Sequence, residues 1–209
     1  MRFFKPAGGI GLICGALLIA GMLSPGVRAS DWNDRTIVTF SGPVEVPGVK
    51  EPEVLPAGTY TFKLLNSQSD RNIVEILNKN QTHLYAIVLA IPDYHLRPRG
   101  KTLIKLYNSK NGNPAALKAW FYPGDNFGQR FVYPKSRATE IAKDANEPVP
   151  SMPDETAANM SKPIKSGNEP AASALKNANV KAEEPSGQEV AASQAVQSQP
   201  SNSSSNAKP

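Results

Sequence analysis

The sequence predicts an all-β protein, an antiparallel β-sandwich or barrel of about eight short strands. Short runs rich in β-branched and aromatic residues recur between Thr36 and Tyr133, and polar or Gly/Pro-rich connections separate them. No long stretch in this region has the 3.6-residue period of a helix. All 13 aromatic residues that follow residue 29 lie between Trp32 and Tyr133. The apolar packing of the protein is therefore expected in this region.

The predicted strands differ in how many of their faces are apolar. Residues 59–65 alternate, with Tyr60, Phe62 and Leu64 on one face, as in a half-buried strand. Residues 84–91 are apolar on both faces except for Tyr85, so this strand is expected to be central. A turn, a docked helix or a partner would then cover its second face. The predicted strands span residues 37–40, 44–46, 59–65, 72–77, 83–91, 101–107, 117–122 and 129–133.

The first 29 residues have the pattern of a secretory signal peptide. Arg2 and Lys5 precede an apolar run of about 16 residues, and Val27-Arg28-Ala29 is a small-x-small cleavage pattern. A retained anchor is the alternative, although the run is short for a membrane span and is interrupted by glycines. Lipidation of Cys14 fits less well, because this residue lies in the middle of the run. Residues 1–29 are predicted to be removed and the mature chain to be periplasmic or extracellular.

The C-terminal part of the chain has a different composition. Residues 136–209 contain no aromatic residue and consist mainly of Ala, Ser, Asn, Pro, Lys, Glu and Gln. Residues 136–146 form a possible short helix, with Ser136 as N-cap and Pro148 beyond its end. We therefore predict a folded domain over residues 30–153. A disordered low-complexity tail is expected over residues 154–209, because it offers little apolar surface to offset the entropy of ordering.

Composition and motifs exclude several classes of function. Cleavage after Ala29 lowers the formal net charge from +5 to +2, which removes the compositional support for nucleic-acid binding. The chain contains no phosphate-binding loop, nucleophile elbow or zinc-protease helix motif. It has two histidines, His83 and His95, and its one cysteine lies in the signal peptide. We expect no cofactor, no metal and no membrane span after cleavage, and we assign no catalytic residue.

Four segments of the chain resemble a known family. They are DRTIVTFSGP at residues 34–43, LPAGTY at 55–60, THLYA at 82–86 and WFYPGDNFG at 120–128. They are similar to segments of secreted bacterial β-rich proteins of unknown function, over about residues 31–153. The resemblance implies export and a compact β domain, and it implies no activity.

The stretch 120–128 contains the candidate ligand-binding residues Tyr122, Asp125, Asn126 and Phe127. Residues 123–126 are expected to form a turn in which Gly124 takes a positive φ. Either Phe127 folds back onto the sandwich and is buried, or Tyr122 and Phe127 flank Asp125 and Asn126 as a patch for a sugar or an extended peptide. The sequence thus favours a secreted, non-catalytic binding or structural module with an unknown envelope or extracellular ligand. A carbohydrate- or peptide-processing hydrolase is the alternative.

Overall fold

Strands dominate the structure, in line with the short β-branched and aromatic runs of the sequence. The computed structural model describes residues 35–48, 53–65, 72–94, 100–158 and 170–197, which contain thirteen strands and four helices. The strands are β1 Arg35–Phe40, β2 Val44–Val46, β3 Glu53–Leu55, β4 Gly58–Leu64, β5 Ile73–Asn78, β6 Leu84–Tyr94, β7 Leu103–Tyr107, β8 Ala115–Phe121, β9 Phe127–Phe131, β10 Tyr133–Pro134, β11 Val149–Met152, β12 Lys181–Glu183 and β13 Glu189–Ala191. The helices are α1 Lys135–Ala145, α2 Asp154–Ala157, α3 Pro170–Lys176 and α4 Ala192–Gln197.

Nine strands form one large sheet. Their order is β1-β4-β5-β6-β9-β8-β2-β3, and β7 pairs with β8 off this path. Each of the eight predicted strand segments overlaps one of these strands, so the all-β prediction is confirmed. The pairing is antiparallel as predicted except between β2 and β8, which are parallel. Among the described residues β1 and β3 end the sheet without pairing to each other, so no closed barrel forms.

The large sheet folds over on itself around a central core. Strand β6 pairs with β5 from Leu84 to Leu89 and with β9 from Ala90 to Tyr94, so it belongs to both halves of the sheet. Phe62 of β4 packs edge-on against Trp120 of β8 and Phe131 of β9, with ring centroids 6.0 and 6.3 Å apart. Contact between these distant strands shows that the two halves face each other as in a sandwich.

The second apolar face of β5 and β6 is covered by residues from the C-terminal part of the chain. Ile73, Ile87 and Leu89 form a second buried cluster with Met152 and Leu175. Leu175 lies in α3 and is fully buried. The second apolar face of β6 is therefore covered by residues of the same chain.

A smaller four-stranded sheet, in the order β10-β11-β12-β13, follows the large one. Helix α1 connects the parallel strands β10 and β11 and buries Ala138, Ile141 and Ala142. The predicted helix is present, but Ser136 is not its N-cap, because α1 begins one residue earlier and has no side-chain cap of its own. The Asp154 carboxylate instead accepts hydrogen bonds from the Ser136 N–H and Oγ, both at 3.2 Å.

The chain is folded beyond the predicted domain boundary at residue 153. Residues 170–197 contain α3, β12, β13 and α4, so the prediction of a disordered tail beginning at residue 154 is wrong for this stretch, and the domain does not end at residue 153. The described residues belong to one compact unit. The signal peptide at 1–29 and residues 198–209 lie outside the described residues. None of the helices in the described part of the chain is long and apolar enough to cross a membrane.

Candidate functional site

The loop between β8 and β9 is a tight turn. The Asp125 N–H donates to the Tyr122 carbonyl oxygen at 3.3 Å, and Gly124 has a φ of 90°. Proline at the second position and a positive φ at the third are the features of a type II turn, in which glycine avoids the strain of a side chain. The predicted positive φ at Gly124 is confirmed, and the turn spans residues 122–125, one residue earlier than the predicted 123–126. The turn brings the end of β8 next to the start of β9.

Two exposed aromatic side chains lie opposite each other beside this turn. Tyr94 at the end of β6 and Phe127 at the start of β9 are direct partners in the antiparallel ladder, so their side chains project from the same face. Tyr94 is 65% exposed and Phe127 is 44% exposed. We call this pair the aromatic edge. The first alternative for Phe127 was that it folds back and is buried against the sandwich. Its exposure shows that this is not the case.

A small hollow lies next to the aromatic edge. Its volume is about 10 Å³, room for about one water molecule and far below the roughly 300–1,000 Å³ of sites that enclose a drug-sized ligand. Leu64 of β4 contributes from the opposite half of the sheet, so the hollow lies at one end of the sandwich. The hollow is lined by Leu64, Trp120, Tyr122, Asp125, Phe127, Gln129 and the backbone of Gly128.

Three of the four predicted ligand-binding residues meet at this hollow. Tyr122, Asp125 and Phe127 line it, and Tyr122 also packs against the core. Asn126 is exposed at the turn and is not one of the lining residues. The turn accounts for this difference, because it directs Asp125 towards the hollow and leaves its neighbour in solvent.

Two buried polar atoms at the hollow lack a hydrogen-bond partner among the described residues. They are Trp120 Nε1 and Gln129 Oε1. The two residues are direct cross-strand partners in β8 and β9, and they are 1% and 8% exposed. A buried polar group without a partner costs about 1–3 kcal/mol, and native proteins contain few of them. Cross-strand neighbours beside the hollow therefore carry a buried donor and a buried acceptor that have no hydrogen-bond partner among the described residues.

A buried ion pair supports the aromatic edge from behind. Arg130 Nε and Nη2 donate to Asp93 Oδ2 at 3.0 and 2.8 Å, while Asp93 Oδ1 accepts the Tyr94 N–H at 2.8 Å. The Tyr107 hydroxyl donates to the Pro148 carbonyl oxygen at 3.4 Å, and burial raises the pKa of Tyr107 to about 12. Both oxygens of the buried carboxylate are satisfied, and one of them fixes the backbone of Tyr94.

Gly128 allows close packing at the same place. A Cβ atom at this position would lie 2.5 Å from both Phe121 Cδ1 and the Trp120 carbonyl oxygen. Such distances are far inside van der Waals contact, so any other residue would push β8 and β9 apart. The glycine therefore keeps Trp120 and Gln129 side by side.

Tyr94 and Gln129 belong to the site but were not predicted from the sequence. Strand β6 was predicted to end at residue 91, before Pro92, because proline interrupts a strand ladder. In the structure β5 pairs with β6 only as far as Leu89. Around Pro92, β6 has β9 as its one described neighbour, so the missing N–H of the proline does not interrupt a ladder on its other side. One feature of the sequence could have indicated Gln129. It is a polar residue two positions before the buried Phe131, so both side chains lie on the face of the strand that packs in the core.

Other polar clusters in the described residues are internally satisfied. A larger groove of about 260 Å³ beside the small sheet is lined by Lys135, Asp154, Lys181 and Glu189 among others. Both lysines pair with Glu189, whose pKa is lowered chiefly by the hydrogen bond from Lys135. The described part of the chain holds no group of three His, Cys, Asp or Glu side chains placed to bind a metal.

Of the two histidines, His83 is within the described residues and His95 is not. The His83 ring packs edge-on against the Tyr85 ring, with centroids 4.7 Å apart. This aromatic contact holds the His83 ring beside Tyr85.

Comparison with known proteins was made at three levels. No protein-family model, no curated protein sequence and no solved structure matched the chain. The function must therefore be inferred from the residues of this chain alone.

Proposed function

We propose that the protein is an exported, non-catalytic binding module that holds an envelope or extracellular ligand on the aromatic edge. The observation that carries the proposal is the exposed cross-strand pair of Tyr94 and Phe127 beside a hollow. Large apolar side chains that cluster on a surface are unfavourably hydrated, and a partner that covers them removes this free-energy cost. Aromatic rings suit this role because they offer large contact area and lose little conformational entropy.

The residues around the pair provide polar contacts of two kinds. The Asp125 carboxylate is half-buried at the rim and accepts hydrogen bonds. Trp120 and Gln129 also line the hollow, and the Trp120 N–H and the Gln129 side-chain oxygen are buried behind its surface. A few polar groups among aromatic side chains are typical of sites that orient a small ligand or one unit of a polymer.

Removing the aromatic edge is expected to abolish binding without unfolding the protein. We expect the double variant Tyr94→Ser/Phe127→Ser to stay folded and to lose no more than about 1–2 kcal/mol of free energy of unfolding, because Tyr94 is 65% exposed and Phe127 44% exposed. The same variant should lose co-sedimentation with an insoluble envelope fraction of the producing cells. Retained co-sedimentation would refute the proposal.

Ile37 offers a matched control. It is 61% exposed on β1, where it pairs with Thr61 and so lies on the opposite face of the sheet from Leu64, the residue of β4 that lines the hollow. Ile37→Ser removes an exposed apolar side chain of similar size and should leave co-sedimentation unchanged. An equal loss of co-sedimentation in this variant would indicate nonspecific hydrophobic adsorption instead of a binding site.

Export is the second part of the proposal and has its own test. We expect the mature chain to begin at Ser30, because Val27-Arg28-Ala29 follows the apolar run. N-terminal sequencing of the protein recovered outside the cytoplasm measures this directly. A chain that begins at Met1, or that carries a lipid on Cys14, would contradict the expectation.

A further inference from the structure

The loop between β7 and β8, residues 108–114, is tied to α1 through one carboxylate. Asp144 accepts hydrogen bonds from Ser109 Oγ at 3.3 Å, from Asn113 Nδ2 at 3.1 Å and from Asn111 Nδ2. Asp144 lies in the last turn of α1, where the free carbonyl groups give the helix end a partial negative charge. The three donors of the loop therefore stabilise a carboxylate at an electrostatically unfavourable position.

Asn111 is also the one asparagine of the chain that glycine follows. Both residues are exposed, and Gly112 has a φ of 79°. A Cβ atom at Gly112 would meet no described residue within 4 Å other than its chain neighbours. Because glycine has no side chain, its backbone nitrogen is open to approach. We propose that Asn111 is a site of deamidation and that this modification releases the loop from α1, independently of the aromatic edge.

The reaction needs only this chain and water. The Gly112 backbone nitrogen attacks Cγ of Asn111 and loses its proton, the C–N bond of the side-chain amide breaks, and ammonia leaves. The product is a five-membered succinimide ring. Water then adds to one of the two carbonyl carbons of the ring and opens it, which gives aspartate or isoaspartate. Either product carries a carboxylate, so the side chain changes from neutral to negative.

The new carboxylate has the wrong chemistry for its place. The Asn111 amide donates to Asp144, whereas an ionised carboxylate can only accept hydrogen bonds. Two neighbouring carboxylates also repel each other, and a negative charge added beside an aspartate disrupts local structure. Deamidation thus removes one of the three hydrogen bonds that hold the loop and replaces it with repulsion.

Asn113 is an internal control for the reaction, because it lies in the same loop and donates to the same carboxylate. It is followed by Pro114, whose nitrogen carries no hydrogen, so it cannot form a succinimide by this route. The purified protein is incubated at mildly alkaline pH in water labelled with ¹⁸O and then digested. The label marks the products that form before digestion, and fragment masses locate them.

We expect Asn111 to convert at least about tenfold faster than Asn113, which a difference of about 1.4 kcal/mol in the activation free energy produces. Asn111→Gln should convert no faster than Asn113, because its longer side chain cannot close a five-membered ring. No conversion of Asn111, or conversion no faster than that of Asn113, would overturn the proposed site.

Variants test the release of the loop. Asn111→Asp carries the charge of the product in every molecule, and Asn111→Gln keeps the amide donor. We expect Asn111→Asp to melt at least about 2 °C below Asn111→Gln and to show faster amide hydrogen exchange over residues 108–114. Asn80→Asp adds the same charge at an exposed residue of the β5–β6 hairpin and should change neither measurement.

Asp144→Asn identifies the cause of the effect, because it removes the carboxylate that repels the new charge. In this background Asn111→Asp should melt within about 1 °C of Asn111→Gln. An undiminished difference there would overturn repulsion from Asp144 as the cause. Unchanged hydrogen exchange in Asn111→Asp would overturn the release of the loop.

Discussion

Replacing Arg130 by methionine is expected to lower the free energy of unfolding by about 3–5 kcal/mol, the range for breaking a buried ion pair. Arg130 and Asp93 are each 1% exposed and joined by two hydrogen bonds. Without the guanidinium, the Asp93 carboxylate stays buried with the Tyr94 N–H as its remaining partner. Urea unfolding followed by circular dichroism measures the change.

A double variant shows where this cost arises. Asp93→Leu/Arg130→Met removes both charges and should recover most of the lost stability, because no uncompensated charge remains buried. Lys63→Met is the surface control, since Lys63 and Glu75 are 3.5 Å apart and partly exposed. It should cost less than about 1 kcal/mol. A similarly small cost for Arg130→Met would show that water reaches the Asp93 carboxylate.

Removing residues 159–209 is expected to destabilise the protein by at least about 3 kcal/mol. The shortened chain ends at Ala158 and lacks Leu175, whose side chain is fully buried against the second face of β5 and β6. Loss of one buried leucine alone costs about 2–5 kcal/mol. The small sheet also loses β12, which pairs with β11 on one side and β13 on the other. Thermal or urea unfolding measures the effect.

The matched control for this truncation ends at Gln197. That chain keeps every described residue and should unfold like the full-length protein. Leu175→Ala in the full chain isolates the contact between α3 and the large sheet. Equal stability of the chains ending at Ala158 and Gln197 would show that residues 170–197 do not contribute to the core.

The sequence anticipated part of the candidate site. Tyr122, Asp125 and Phe127 stood out because aromatic and turn residues are concentrated between residues 120 and 128, and the structure brings these three to one hollow. Tyr94 and Gln129 could not be found in this way. They join the site through the pairing of β6 with β9 and of β9 with β8. A sequence pattern describes one strand at a time and does not show which strands become neighbours.

Local chemistry along the chain determined the strands, the β8–β9 turn and helix α1. Alternation with a two-residue period, a Pro-Gly pair in a turn and helix formers ahead of a proline each act over a few residues, so they can be identified without knowing the fold. The apolar run of β6 likewise indicated that a second covering layer had to exist.

Only the tertiary structure decided what that layer is. Residues 170–197 have the composition of a disordered segment, and an isolated chain of this kind could not offset the entropy of ordering. Leu175 and Ala182 are nevertheless fully buried, and Leu175 packs on the apolar face that β5 and β6 already provide. A segment with few apolar residues can fold when the rest of the domain supplies most of the surface that it buries. The average composition of a segment cannot show this, because it counts the residues of the segment and not the apolar surface of the domain against which they pack.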